Sequence, residues 1–292
     1  MTKQTIRTQE HINTHETEQP NPLGDAWETV RALTEQPDFL NGAPANYDMS
    51  DSSTDDYLYR ISEYTDSFVE TRLKDGTLSE EQVAPILLLG ATPYAMRQQQ
   101  LLNSGARLDR EYFHHAKDTM AQFNSLVYET MNQNEAVSMH DLATTMSLAT
   151  TEYTNDRLED VFKSTSDIAR GIRVERTFEH IVEEFGILDI RHATPQEDRK
   201  GVDFIVTTPN GNELKIDIKA SLDQVAARNG GYDDISAFIK TPDGKFIFYP
   251  LISNEMFVDD TCKIKDTPHT QQVKLAIMGQ VQLMETKLLQ KR

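Results

Sequence analysis

The chain has 292 residues, of which 38% are hydrophobic, and its formal net charge is −18. This length is enough for one or two domains that bury a core without disulfides or structural metals. No apolar run is long enough to span a bilayer, no secretory signal is visible, and the single Cys262 cannot form an internal disulfide, so we expect a cytoplasmic protein with no membrane partner. The excess of acid counts against a nucleic-acid partner, because phosphate contacts need Lys and Arg.

The acidity is concentrated in the first half of the chain. Residues 1–166 carry 27 acidic and 12 basic side chains, whereas residues 167–292 carry 20 acidic and 17 basic ones. The second half is therefore close to neutral, and the net charge of the whole chain does not exclude DNA as its partner.

Residues 1–24 are polar and contain few large apolar side chains, which predicts a disordered tail. From residue 25 to residue 165 the apolar residues recur at helical spacing, as Phe123, Val127 and Met131 do. We expect residues 25–165 to form an acidic, all-helical domain.

Local signals divide the helical region further. Ser79 and Gln82 have the spacing of a capping box and predict a helix start, while Pro93 predicts an interruption. Residues 138–148 faintly resemble a helix-turn-helix, but their acidic surroundings count against DNA binding. That interpretation is therefore discounted.

Residues 166–292 have a different pattern, which predicts a second domain. A long amphipathic helix is predicted over residues 167–185, followed by short strands and by a final helix that opens at Pro268. The predicted strands cover residues 187–191, 202–207, 214–219 and 246–252. Turn residues that include Asn210 and Gly211 join the second strand to the third, which predicts a hairpin.

The third predicted strand brings charged side chains together. Strand side chains alternate with a period of two, so Asp217 and Lys219 lie on one face while Ile216 and Ile218 lie on the other. The hairpin turn brings Asp203, at the start of the preceding strand, near the same place. Two carboxylates therefore converge beside a lysine.

Such a set of side chains suits phosphodiester hydrolysis. Carboxylate oxygens hold Mg²⁺, which polarises a phosphate and lowers the pKa of a bound water, and a nearby cation stabilises the developing charge. A further carboxylate can come from the preceding helix, on which Glu175 lies at the edge of the buried face and Glu179 lies farther round. We expect Glu175 to look along the sheet and Glu179 to be solvated.

In these residues the chain resembles the PD-(D/E)xK nucleases, which have the restriction-endonuclease fold. The helix part is similar to that of archaeal Holliday-junction resolvases and Mrr-type restriction nucleases. The resemblance covers residues 171–221, with Val202 where the family name has proline and Asp217 where many members have glutamate. The matching pattern is Gly171-Ile-Arg-Val-Glu175-Arg176, then Gly186, Gly201-Val-Asp203 and Asp217-Ile-Lys219-Ala-Ser221.

The resemblance implies a fold, an activity and a cofactor. The fold is an α/β restriction-endonuclease-like core, a mixed central sheet flanked by helices, here preceded by the all-α N-terminal domain. The activity is that of a Mg²⁺-dependent DNA endonuclease of the restriction or DNA-processing type. Mn²⁺ is a possible substitute for Mg²⁺, and a homodimer is the default assembly.

The site residues of the family carry over to this chain one by one. Asp203 and Asp217 match the acids that bind Mg²⁺ together with the intervening backbone carbonyl, here that of Ile218. Lys219 matches the lysine that activates or orients water. Glu175 matches the acid that completes the metal or water shell.

Basic side chains around this site are candidates for DNA contacts. Arg199 and Lys200 would flank the metal site, whereas arginines on the helix could equally pair with neighbouring acids. The candidates are Arg173, Arg176, Arg199, Lys200 and Lys215.

Two less specific interpretations stay open. Alternating Lys and Asp residues are common on a solvated strand face, which would make the site an ordinary surface. In the second interpretation, the chain is a non-catalytic binding or assembly protein with a nuclease-like scaffold. Its acidic helical domain would engage a basic protein partner.

Overall fold

The computed structural model describes residues 22–40, 52–104, 109–154, 156–186, 188–198, 200–218, 236–240, 246–250 and 254–289. Most of the predicted N-terminal tail lies outside these ranges. Its last residues, however, begin the first helix, and Leu23 is fully buried. The helical region therefore begins at Pro22 and not at residue 25, because the one large apolar side chain near the end of the tail joins the core.

The first half of the described chain is helical, as predicted. Its helices are α1 (Pro22–Thr34), α2 (Pro37–Leu40), α3 (Ser52–Lys74), α4 (Glu80–Asn103), α5 (Arg110–Gln133), α6 (Met139–Tyr153) and α7 (Leu158–Glu183). Apolar residues at helical spacing, including Phe123, Val127 and Met131, are buried in one cluster. Within the described ranges, no helix is long and apolar enough to cross a bilayer.

Helix α4 begins as predicted but is not interrupted. The Gln82 side chain accepts a hydrogen bond from the Ser79 backbone N–H at 3.1 Å, which is half of a capping box. Pro93 lies inside α4, so the predicted interruption is wrong. Leu89 and Met96 on either side of it are buried, and their packing outweighs the missing backbone hydrogen bond. Helix α6 likewise runs through the segment that resembled a helix-turn-helix, without a turn.

The described part of the second half contains a mixed five-stranded sheet. Its strands are β1 (Asp189–His192), β2 (Phe204–Thr207), β3 (Glu213–Ile218), β4 (Ser236–Lys240) and β5 (Phe246–Pro250), in the order β1-β2-β3-β5-β4. Among these strands, β3 and β5 pair in parallel and the other neighbours are antiparallel. Helix α8 (Pro195–Asp198) lies between β1 and β2, and α9 (Pro268–Leu289) follows the sheet. The four predicted strands are confirmed, and β4 is a strand that the sequence pattern does not predict.

The β2–β3 hairpin follows from its turn residues. Gly211 has a φ of +74°, a conformation that glycine adopts without strain. Its N–H donates to the Thr208 carbonyl at 2.8 Å, and the Thr208 N–H donates to the Asn212 carbonyl at 3.0 Å. The turn sets a register in which Phe204 pairs with Ile216.

Helix α7 joins the two halves. Its first part places Ala169 and Ile172 in the core of the helical half, and its last part places Phe178 in the core formed with the sheet and α9. The helix predicted over residues 167–185 is therefore present but starts earlier, and the predicted boundary between residues 165 and 166 falls inside it. The change in composition therefore coincides with the passage of α7 from the core of the helical half to the core formed with the sheet. It does not mark a break between helices.

Alanine substitutions at two helix glycines test how closely the helices pack. A Cβ at Gly90 of α4 would overlap the side chain of the buried Thr65 in α3, whereas a Cβ at Gly171 of α7 would meet nothing within 4 Å. We expect Gly90→Ala to lower the free energy of unfolding by roughly 1–3 kcal/mol through overpacking. We expect Gly171→Ala to raise it by about 0.5–1 kcal/mol, because alanine favours the helix. Urea unfolding followed by circular dichroism measures both, and a neutral Gly90→Ala would contradict the close α3–α4 contact.

Candidate active site

The β2–β3 hairpin fixes Asp203 against the end of β3. The Asp203 N–H donates to the Ile216 carbonyl at 2.8 Å, and the Ile218 N–H donates to Oδ2 of Asp203 at 2.5 Å. The Asp203 carboxylate therefore lies beside the peptide bond that joins Asp217 to Ile218. The structure brings these three predicted site residues together.

Asp217 is buried, with 2% of its surface exposed. Along β3, Ile216 and Ile218 enter the core and Lys215 is exposed, which confirms the predicted alternation. Asp217 lies on the same face as Lys215, and its burial makes the solvated-surface interpretation wrong for this residue. A carboxylate at this depth needs hydrogen-bond donors, a cation or a metal ion around it. Lys219 lies outside the described residues.

A compact loop leads into Asp203. Glu197 of α8 accepts hydrogen bonds from both terminal nitrogens of Arg191, at 2.9 and 3.1 Å, and from the Thr194 N–H at 2.9 Å. These contacts, the Arg191 side chain first, lower the pKa of Glu197 to about 2. Gly201 then turns the chain with a φ of +70°. These contacts fix the loop and thereby position Asp203 at the start of β2.

Glu175 and Asp203 line the same cleft, which has a volume of about 850 Å³. One wall comes from α5, and the other comes from α7 and from the segment that carries His192, Asp198 and Asp203. Glu175 lies next to the buried Val174, at the edge of the buried face of α7. The structure therefore brings Glu175 and Asp203 to one cavity, and the helical half supplies part of its lining.

Asp203 and Asp217 offer the hard oxygen donors that Mg²⁺ prefers. Among the described residues, no three His, Cys, Asp or Glu side chains come together as a ready metal site. Mg²⁺, however, is usually held by one or two protein carboxylates, because waters and phosphate oxygens complete its octahedron. The donor set therefore fits Mg²⁺ in kind. Its candidate ligands are the two carboxylates and the Ile218 carbonyl, with Glu175 on the cleft that Asp203 also lines.

Two arginines of α7, Arg173 and Arg176, make contacts inside the protein. Arg173 donates to the Thr261 carbonyl at 2.9 Å, and Arg176 donates to the Cys262 carbonyl at 2.6 Å. The Arg173 guanidinium also lies 3.3 Å from the centroid of the Phe257 ring. Both arginines are buried, and burial lowers the pKa of each guanidinium from its ordinary value. The prediction that Arg173 and Arg176 contact DNA phosphates is therefore wrong, because both guanidinium groups hold the segment that follows the sheet.

Two of the remaining basic candidates lie close to site residues along the chain. Lys200 and Lys215 are exposed, and Arg199 lies outside the described residues. Lys200 closely follows Asp198, which lines the cleft, and Lys215 lies two residues before Asp217 on β3. Contacts of these side chains with phosphates stay a prediction.

The cleft also contains two residues that the sequence pattern does not single out. Tyr128 of α5 meets His192 of β1 edge to face, with ring centroids 4.9 Å apart and planes at 87°. His192 also packs on Phe204 at 4.8 Å, and its Nε2 lies 3.2 Å from Oε1 of Glu179. The Glu179 side chain is only 15% exposed, so the expectation that it is solvated is wrong. Neither ring carries a sequence signal, because the contact joins segments far apart in the chain.

Comparisons with protein-family models, with curated proteins and with solved structures find no match to this chain. The resemblance to the PD-(D/E)xK nucleases therefore depends on the site residues alone. The geometry around Asp203, Asp217 and Glu175 is the observation from which a function can be argued.

We expect Arg176→Ala to destabilise the fold. The substitution removes charged hydrogen bonds to the Cys262 carbonyl and to Oδ1 of Asn132, and should lower the free energy of unfolding by roughly 2–4 kcal/mol. Arg170→Ala is the matched control, because Arg170 is exposed on the same helix and pairs with Asp167. It should change the free energy of unfolding by less than about 0.5 kcal/mol. Urea unfolding compares the two, and an Arg176→Ala protein as stable as the wild type would contradict the internal role.

Proposed function

We propose that the protein is a Mg²⁺-dependent DNA endonuclease of the PD-(D/E)xK type. The observation that carries the proposal is that Asp203, fixed beside the Asp217–Ile218 peptide, shares one cleft with Glu175. The order of the elements supports it, because α7 precedes an antiparallel β1-β2-β3 meander and β5 pairs in parallel with β3. A mixed sheet packed against α7 and α9 suits the restriction-endonuclease-like core that the resemblance implies.

In this proposal Asp203, Asp217 and the Ile218 carbonyl hold Mg²⁺. When bound, the ion polarises the scissile phosphate and makes a coordinated water more acidic. The hydrogen bond from the Ile218 N–H keeps the Asp203 carboxylate in place, so this ligand need not be ordered when the substrate binds. Glu175 completes the metal or water shell from the α7 side of the cleft, and Lys219 orients the attacking water.

The acidity of the cleft is compatible with this chemistry. Five carboxylates line its described part, those of Asp118, Glu129, Glu175, Asp198 and Asp203. Metal binding offsets part of this charge where the reacting phosphate would lie. The exposed Lys200 and Lys215 would contact flanking phosphates. Cutting both strands of a duplex would need two such centres, so a homodimer belongs to the same proposal.

The proposal predicts metal-dependent nicking or linearisation of supercoiled plasmid DNA. We expect cleavage in Mg²⁺ or Mn²⁺ and none in EDTA. Asp217→Asn should lower the rate by at least about 100-fold, because it removes a charged ligand at the reacting phosphate. Glu213→Gln is the matched control, since Glu213 is an exposed acid of the same strand, and its rate should stay within about 2-fold of wild type. Cleavage in EDTA, or full activity of Asp217→Asn, would contradict the mechanism.

A second candidate function is a non-catalytic assembly protein whose acidic helical half binds a basic partner. The carboxylates that α5 adds to the cleft, Asp118 and Glu129, favour it because they repel DNA. Metal binding separates the two candidates. The nuclease proposal predicts that titration calorimetry detects Mg²⁺ or Mn²⁺ uptake that disappears in Asp203→Ala and persists in Glu213→Gln. A wild-type protein that binds neither metal, with or without DNA, would favour the assembly function.

A further inference from the structure

The α5 wall of the cleft differs chemically from the wall that carries Glu175 and Asp203. All residues of α5 are described, and none of its lysines or arginines lines the cleft. Phosphates are bound mainly by Lys and Arg, whereas the edges and faces of unpaired bases are bound by amides, hydroxyls and aromatic rings. The uncharged polar and aromatic residues that α5 contributes are Gln122, Asn124, Ser125, Tyr128 and Asn132. This wall therefore suits a nucleobase and not a sugar-phosphate backbone.

Two acids on the same wall lead to the same conclusion. Asp118 and Glu129 line the cleft from α5 and would repel a phosphate placed beside them. Only the uncharged part of a nucleotide can lie along α5 without this repulsion. The phosphate of such a nucleotide would lie near Asp203, where the Mg²⁺ site is proposed.

The rings of Tyr128 and His192 form an aromatic corner in this cleft. They meet edge to face, and the His192 ring is held from behind by Phe204 at 4.8 Å and by Glu179 at 3.2 Å. The His192 side chain is nevertheless 52% exposed. The two rings are therefore held by contacts within the protein, and the exposed part of His192 can stack with a flat ring.

Asn124 provides a hydrogen-bonding group that lacks a partner. Its side-chain oxygen is buried and has no hydrogen-bond partner among the described residues, and the residue lines the cleft. Buried amide groups in proteins are normally hydrogen-bonded. Because this oxygen is closed to solvent, the edge of a base would reach it only after a change of the Asn124 side-chain rotamer.

The size of the cleft limits what can enter. The cleft has a volume of about 850 Å³. The cleft is thus within the range of about 300–1,000 Å³ that is typical of small-ligand pockets. A single nucleotide fits a pocket of this volume.

We propose that the α5 wall binds an unpaired nucleobase through Tyr128, Gln122 and Asn124, so that the substrate class is DNA with a single-stranded or locally unpaired region. The inference rests on the proposed nuclease function, because it assumes that the neighbouring phosphodiester is the one hydrolysed near Asp203. It assigns to the helical half the selection of the substrate.

The test compares a fully paired fluorescein-labelled duplex with the same duplex carrying a short central run of unpaired thymines. Fluorescence anisotropy in Ca²⁺ without Mg²⁺ measures affinity, and gel analysis after addition of Mg²⁺ measures cleavage. We expect the full-length protein to bind the unpaired substrate at least about 10-fold more tightly, within the roughly 5- to 150-fold that stacking of one base is worth. Tyr128→Ala should reduce this preference by about 10-fold, and Tyr128→Phe should retain it.

Two further variants control for effects on folding. Phe113→Ala removes an exposed aromatic ring of the same helix that does not line the cleft, and should leave the preference unchanged. Gln122→Ala changes an exposed side chain on the cleft wall and should weaken binding of the unpaired substrate alone. The Gln122 variant keeps the proposal testable if Tyr128→Ala does not fold.

The outcomes separate the inference from the function on which it rests. Equal affinity and equal cleavage of both substrates would overturn the inference while supporting a nuclease. A preference that survives in Tyr128→Ala and in Gln122→Ala would also overturn it. Preferential binding that depends on these two residues, without cleavage in Mg²⁺ or Mn²⁺, would support base binding by α5 and overturn the hydrolytic function.

Discussion

Two hydrophobic cores meet on helix α7, and buried arginines fix the helix between them. Ile172 packs in the core of the helical half, and Phe178 packs in the core formed with the sheet. Arg173 and Arg176 donate hydrogen bonds to consecutive carbonyls of the segment after the sheet, at residues 261–262. Breaking the hydrogen bonds of a buried guanidinium leaves an uncompensated charge, so these contacts resist rotation of the helix. Helix α7 thereby holds Glu175 in a fixed place relative to both cores.

The candidate site depends on this helix and on a second, independent constraint. Glu175 lies at the edge of the buried face of α7 and lines the same cleft as residues of α5. Asp203 is positioned by the register of the β2–β3 hairpin and by the hydrogen bond from the Ile218 N–H. Helix packing and strand pairing therefore meet at one cleft. A carboxylate from each lines it, Glu175 from the helix and Asp203 from the hairpin.

The lining of the cleft changes the interpretation of the acidic charge in the first half of the chain. The sequence divides into an acidic first half and a nearly neutral second half, which suggests that the acid is kept away from the site. In the structure, however, Asp118 and Glu129 of the first half line the same cleft as Asp203. The helical half is therefore part of the site. Its charge bears directly on which part of a ligand can lie against α5.

Residue spacing and turn residues within short segments predict the helical first half, four of the five described strands, the hairpin turn and the alternation along β3. The same local features predict that Asp203 lies near Asp217. The burial of Asp217, the internal hydrogen bonds of Arg176 and the contact of Tyr128 with His192 are visible only in the folded structure. These outcomes depend on side chains packed from segments far apart in the chain, and local periodicity does not specify such neighbours.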